Sequence, residues 1–302
     1  MTRRPRVRAL LALLAALPAT FAHAAVDLTD DAGHRLHLER PAQRIVSLAP
    51  HVTELLFAAG AGSKVVGVVQ HSDYPPEATR LPQVGSHTRV DLEAVAALKP
   101  DLVIAWKSGN RDAQLDRFNA LGIPVYVNEP RSLEAVAQSL EQFGRLAGTE
   151  AAANAAAAGF RQRQSALAAR YRERPPVRLF YQIWNSPLMT INDEQVISDA
   201  IRLCGGVNVF GGLKQLAPRI STEAVLAANP EAIIASGMAD SRPEWLDQWK
   251  RWPTLAANAG GNLFFIPPDL IQRHTPRLLD GAERLCGQLE EVRAKRGTTR
   301  AR

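Results

Sequence analysis

The sequence predicts an α/β protein of two similar lobes. Each is built on a central, mostly parallel sheet, the two are joined by one long rigid helix, and a ligand cleft lies between them. Three observations carry this. First, strand-like apolar runs alternate with capped helical segments, the pattern of parallel strands linked by right-handed crossovers. Second, the alternation is broken once, by an alanine-rich stretch at 132–172 that holds no proline. Third, residues 91–106 (DLEAVAALKPDLVIAW) are echoed at 221–236 (STEAVLAANPEAIIAS), with seven of sixteen positions identical in a gapless window. Lobes of this kind take ligands beyond the carboxyl ends of their strands, in the crevice between domains.

The elements follow in order. Residues 27–38 read as a hairpin turning on Asp30-Asp31-Ala32-Gly33. Strand 44–49 (RIVSLA) precedes a helix at 53–59 closed by Gly60, and 64–69 (KVVGVV) is a buried strand. Asp91 is the N-cap of a helix at 91–98, which Pro100 ends, and strand 101–106 (DLVIAW) follows. A helix at 111–121 and a strand at 124–128 complete the first lobe. Ser132 caps one short helix, and a long helix begins near Thr149 and stops at Pro175-Pro176. The second lobe has strands at 178–184, 231–236 and 263–267, with helices at 195–204, 221–228, 243–252 and 276–293. The predicted division is a leader at 1–24, lobes at 25–145 and 175–295, a linking helix at 146–174 and a basic tail at 296–302.

Charge narrows the function classes. The 302 residues are 46% hydrophobic and 22% charged, a globular composition, with a formal net charge of +6. Of the 36 cations, four lie in 1–24 and five in 292–302, leaving 27 against 30 acids and a body near −3. That body has no basic stripe, so a nucleic-acid partner is not expected. Four arginines followed by an apolar run and Ala22-His23-Ala24 read as a secretory signal peptide. An exported chain with only Cys204 and Cys286 either joins them in a disulfide or buries two free thiols.

The strand ends bring aromatic, polar and imidazole side chains towards the crevice: Pro50 and His51, His71 to Tyr74, His87, Trp106, Trp184, and 269–274. There is no P-loop, GxGxxG, HExxH or nucleophile elbow. A remote alternative is a secreted metal-dependent hydrolase using His51, His71, His87 and Asp269.

The segments 44–60 (RIVSLAPHVTELLFAAG), 71–76 (HSDYPP), 91–106, 203–206 (LCGG), 221–234 and 269–286 are together similar to one family. They resemble the periplasmic substrate-binding proteins for vitamin B12, haem and ferric siderophores, which feed ABC importers. The resemblance implies a non-enzymatic, monomeric receptor without a cofactor. Its transported ligand would be a corrinoid, cobalamin foremost, with haem or a ferric siderophore as the alternative. By position, Pro50, His71, His87 and Trp106 would line the first-lobe side of the pocket. Ile183 or Trp184, Asp269 and Arg273 would line the other. His71 and His87 stand where corrinoid-binding members carry aromatic rings, and are the candidate contacts to a cobalt or iron centre. Glu93 and Glu223 fall where such proteins present one acid per lobe to arginines of the permease dimer. Cys204 and Cys286 fall where the family's B12-binding members have a disulfide. The long helix implies that closure on ligand binding is small.

Overall fold

The computed structural model describes residues 25–237 and 241–299; the predicted leader at 1–24 and the end of the basic tail lie outside them. The chain opens with a hairpin, β1 (Val26–Thr29) and β2 (Arg35–Leu38). The first lobe then follows in chain order. It comprises β3 (Ile45–Ser47), α1 (Pro50–Ala58), β4 (Val65–Val68), α2 (Leu92–Ala97), β5 (Leu102–Trp106), α3 (Asp112–Ala120) and β6 (Val125–Asn128). Helices α4 (Leu133–Ala147) and α5 (Glu150–Tyr171) lead to the second lobe. That lobe comprises β7 (Val177–Gln182), α6 (Val196–Leu203), β8 (Gly206–Asn208), α7 (Thr222–Ala228), β9 (Ala232–Ala235), α8 (Ala256–Ala259), β10 (Leu263–Phe265), α9 (Pro268–Ile271) and α10 (Leu278–Thr299).

Both sheets are four-stranded and parallel throughout, ordered β4-β3-β5-β6 and β8-β7-β9-β10. Each order is second-first-third-fourth, so the lobes share one topology. The sequence echo is α2–β5 in one lobe and α7–β9 in the other, each pair supplying the third strand. Local chemistry repeats with it. The Asp91 carboxylate accepts from the Glu93 and Ala94 N–H groups, and the Ser221 hydroxyl accepts from the Ala224 N–H.

The lobes share a core. One apolar cluster runs from Ile45 and Leu55 through Phe143, Phe160 and Leu167 to Leu179 and Leu285. Two smaller clusters fill the outer faces of the two sheets. Helix α5 packs on α4 and α1 from one lobe and on α6 and α10 from the other. Its closest approach is to α4, where a Cβ at Gly144 would collide with the Ala153 methyl. A shared core resists shear better than an exposed hinge does, which favours small relative motion. The hairpin covers the free edge of β6, because the Asp31 N–H donates to the Val127 carbonyl and the Asp31 carboxylate accepts from the Glu129 N–H.

Several details differ from the sequence reading, which gave no sign of the short helices α8 and α9. Helix α1 starts at Pro50 rather than Thr53, since proline suits the first helical turn. Strand β8 had no signal, being three residues long and fixed by pairing with β7. Residues 244–251 form a 3-10 helix between Pro243 and Pro253, with no capping side chain. Helix α10 continues to Thr299, into the segment expected as a tail. Cys204, at the end of α6, and Cys286, within α10, form a disulfide.

Candidate functional site

In each sheet the first and third strands are neighbours whose connections leave in opposite directions, the switch point that opens a crevice at the carboxyl ends. A cavity of about 660 Å³ lies there, walled by both lobes. The first lobe contributes Pro50 and His51 from the start of α1, His71, Asp73 and Tyr74 from the loop after β4, His87, and Trp106 from the end of β5. The second lobe contributes Gly237 and the stretch around α9: Pro268, Asp269, Gln272, Arg273, His274 and Arg277. Pro50, His71, His87, Trp106, Asp269 and Arg273 from the sequence reading thus meet around one cavity. Ile183 and Trp184 are not among its lining residues. Strand β7 stops at Gln182, the chain turns to bridge Trp184 with Met189, and the indole Nε1 donates to the Ser186 carbonyl at 2.9 Å.

The walls are held by buried polar side chains. Asn110 accepts from the Trp106 N–H at 2.6 Å and donates to the carbonyls of His87 at 2.7 Å and Leu48 at 3.2 Å. Gly109 lies flat on the indole, where any Cβ would overlap the Trp106 ring. His71 adopts a left-handed backbone with φ 65°, which projects its side chain from a tight turn. In the second lobe, Gln272 donates to the Ser236 hydroxyl at 2.9 Å, tying α9 to the end of β9.

Two arginines cross between lobes. Arg277 donates to Glu54 through Nε at 3.0 Å and Nη2 at 2.8 Å, to Asp269 at 2.7 Å, and stacks on Tyr74 with its guanidinium 4.0 Å from the ring centre. Arg273 donates to Glu54 at 2.7 Å, to Asp73 at 2.6 and 3.2 Å, and to the His71 carbonyl at 3.3 Å. Glu54, whose side chain is 2% exposed, therefore anchors both cations from the first lobe. Burial works against ionisation of both arginines and of Asp73, but their ion pairs prevail. Arg273 and Arg277 are held more basic than usual and Asp73 more acidic.

Next to this network lies a group of rings. His51 from the first lobe and His274 from the second are in contact at 5.2 Å between centres. Trp106 stands edge-on to both, at 5.3 and 6.2 Å, and His87 leans on Trp106 at 5.8 Å. Burial drives the His274 pKa down to about 4. It drives His51 well below its usual range, with the charges of His274, Arg273 and His87 adding to the effect. Burial also lowers His87, with His71 beside it. The unfolded chain therefore binds more protons than the native one between about pH 4 and 6.5. Stability from these rings is complete above 6.5 and is lost as the pH falls through that window. For His274 the loss is about 3 kcal/mol, from some 2.5 pH units at 1.36 kcal/mol each. Denaturant melts at stepped pH from 7.5 to 4.5 should show it, and a His274→Gln variant should flatten the profile.

Among the described residues no group of three or more His, Cys, Asp and Glu is placed to hold a metal ion. His51, His71, His87 and Asp269 share the cavity without forming a ligand set, and Asp269 is paired with Arg277. His51, Asp73, Tyr74, Gln272 and His274 were expected at the crevice from their place after strand ends but not in the set that the resemblance implies, and Arg277 was in neither. The available signal for Arg277 was its position four residues after Arg273. No helix of the described residues is long and apolar enough to cross a membrane.

The sequence profile of the family described as periplasmic binding protein matches residues 45–270. The vitamin B12-binding protein of Vibrio cholerae is 36% identical over 251 residues, covering 83% of this chain and 90% of that one. The crystal structure of the periplasmic vitamin B12 binding protein of Vibrio cholerae superposes with a TM-score of 0.77 at 35% identity, over 84% of this chain and 98% of the other. A periplasmic heme binding protein from Pseudomonas aeruginosa gives a TM-score of 0.70 at 25% identity, over 81% and 91% of the two chains.

Proposed function

Because the chain belongs to the periplasmic binding protein family, we propose that it captures a corrinoid, cobalamin foremost, in the inter-lobe cavity and delivers it to an ABC importer. The observation that carries the reading is the two-lobed cavity at the strand ends, in a chain 36% identical to a protein named for vitamin B12 binding. Its volume falls within the roughly 300–1,000 Å³ usual for small-molecule sites. Trp106 and Tyr74 offer flat apolar faces, while Gln272, Arg273 and the histidines offer hydrogen bonds to peripheral amides or a phosphate. On this reading the receptor works in the periplasm as a monomer after loss of 1–24. The segments 25–145 and 175–295 form the jaws and 146–174 the strut between them.

Calorimetric titration of the mature chain with cyanocobalamin, cobinamide and haemin tests the ligand. Corrinoid binding with weak or no haemin uptake is expected. The four cavity histidines and the likeness to a heme binding protein favour a haem receptor as the second reading, and haemin binding alone would establish it instead.

Delivery is proposed to use Glu93 and Glu223. Each is the second residue of its helix, exposed, and equivalent to the other in the two lobes. Helices leading into parallel strands run antiparallel to them, so both acids lie at the cleft-facing ends of their lobes. Two equivalent acids suit a two-fold permease carrying arginines. The Glu93→Arg/Glu223→Arg variant should lose at least about tenfold in uptake rate, reflecting the reach of steering charges on association, while keeping ligand affinity. Unchanged uptake would remove the docking role.

A further inference from the structure

Both arginines and both aspartates that line the cavity are already paired. Arg273 Nη1 donates to Glu54 and Asp73, and its Nη2 donates to Asp73 and the His71 carbonyl. Arg277 donates to Glu54 and Asp269. Three carboxylates thus meet two guanidiniums, with one negative charge in excess. His51, His87 and His274 are held less basic than usual, so they add no cation to offset it at neutral pH. The acids are also the more open side of each pair. The Asp73 side chain is 58% exposed and that of Asp269 30%, against 18% for Arg273 and 16% for Arg277. A carboxylate offers about four lone-pair positions, so both aspartates can accept further hydrogen bonds while keeping their arginines. A macrocycle rimmed with carboxamides fits such a wall, because its N–H groups donate to the aspartates. A rim of carboxylates does not fit. It brings acceptors only, and its charge is repelled by the excess on the wall. Cobalamin brings no net charge, since its phosphodiester is balanced by the cationic cobalt.

We propose that Asp73 is a specificity-determining residue: by occupying Arg273 from the opposite lobe, it makes the cavity select macrocycles rimmed with amides over those rimmed with carboxylates. The proposal rests on the reading of the cavity as a corrinoid site and names what that site refuses. Asp73 suits the role because it is half open and stands on the cavity wall, where a guest meets it. Glu54 is buried behind the arginines and holds them whichever guest arrives.

Dicyanocobinamide and dicyanocobyrinic acid are the probes. They share the corrin ring, the cobalt and both axial cyanides, and differ at the rim, which carries amides in the first and carboxylates in the second. In calorimetry at neutral pH and low salt, the mature protein should bind the cobinamide at least about a hundredfold tighter, the scale set by like charges brought together. Asp73→Asn releases Arg273 and removes the excess charge, so the ratio of the two affinities should fall about tenfold. A loosened loop or a lost packing contact would weaken both probes alike and leave the ratio as it was. A second measurement needs no variant. The wild-type ratio should shrink as ionic strength rises from about 0.01 to 1 M, because the screening length falls from about 30 to 3 Å. Comparable affinities for the two probes, a ratio that Asp73→Asn leaves unchanged, or a wild-type ratio indifferent to salt would each overturn the selection by Asp73 while leaving the corrinoid reading in place. Failure to bind either probe would overturn both.

Discussion

Replacing Glu54 by alanine is expected to cost about 3–5 kcal/mol of folding stability, the usual penalty for removing one partner of a buried ion pair. The carboxylate is almost wholly enclosed and takes three hydrogen bonds from Arg273 and Arg277, whose side chains are 18% and 16% exposed. Both arginines keep other partners, Asp73 and the His71 carbonyl for one and Asp269 and Tyr74 for the other, which places the effect towards the lower end. Urea unfolding should show a lower midpoint at unchanged slope, because the exposed surface is the same. Glu54→Gln, which keeps an acceptor and loses the charge, should cost less. Replacing Glu54 and both arginines together, Glu54→Met, Arg273→Met and Arg277→Leu, should recover most of the loss, since apolar packing avoids desolvating charge and the remaining Asp73 and Asp269 carboxylates reach solvent. A loss below about 1 kcal/mol in the alanine variant, the range of exposed pairs, would mean that the network does not hold the lobes together.

Removing the disulfide should have an effect of similar size by a different route. Cys204 and Cys286 are 82 residues apart and fully buried, and they join the end of α6 to α10. In the chain-entropy account a loop of that length contributes about 4.5 kcal/mol, with measured losses for native disulfides of about 2–5 kcal/mol. The Cys204→Ala/Cys286→Ala variant should therefore unfold at markedly lower denaturant. The native contacts at that end need not change. Arg293 still ties α10 to the carbonyls of Cys204 at 2.7 Å and Pro175 at 2.8 Å. Equal midpoints for the variant and the oxidised protein would show that the unfolded chain is already compact enough to make the link irrelevant.

The fold was legible where its causes are local. Asp91 and Ser221 cap helices, Pro100 and Pro230 end them, and a buried strand follows each time. The repeat therefore reported the shared topology of the lobes before any coordinate did. Gly148, at φ 66°, closes α4 as a left-handed cap and separates it from α5. Legibility failed where pairing or packing decides. Strand β8 exists because Val177, Arg178 and Leu179 offer it a register. Trp184 was read as the end of a strand, but β7 stops at Gln182 and the chain folds into a bridge in which the Ile183 N–H donates to the Met189 carbonyl.

The candidate site divides in the same way. Residues that follow a strand end, such as Trp106, His71 and Asp269, were placed by the alternation of strands and helices. The sequence by itself thus determined the two lobes, the helix between them and the end of each lobe at which the cavity opens, because caps, prolines and apolar periodicity act within a few residues. The contact of His51 with His274, and of Glu54 with Arg277, joins positions more than two hundred residues apart. No local preference encodes such a pair. Only the packing of both lobes around a common core brings the residues within reach, and burial there lowers the basicity of the His51 and His274 rings.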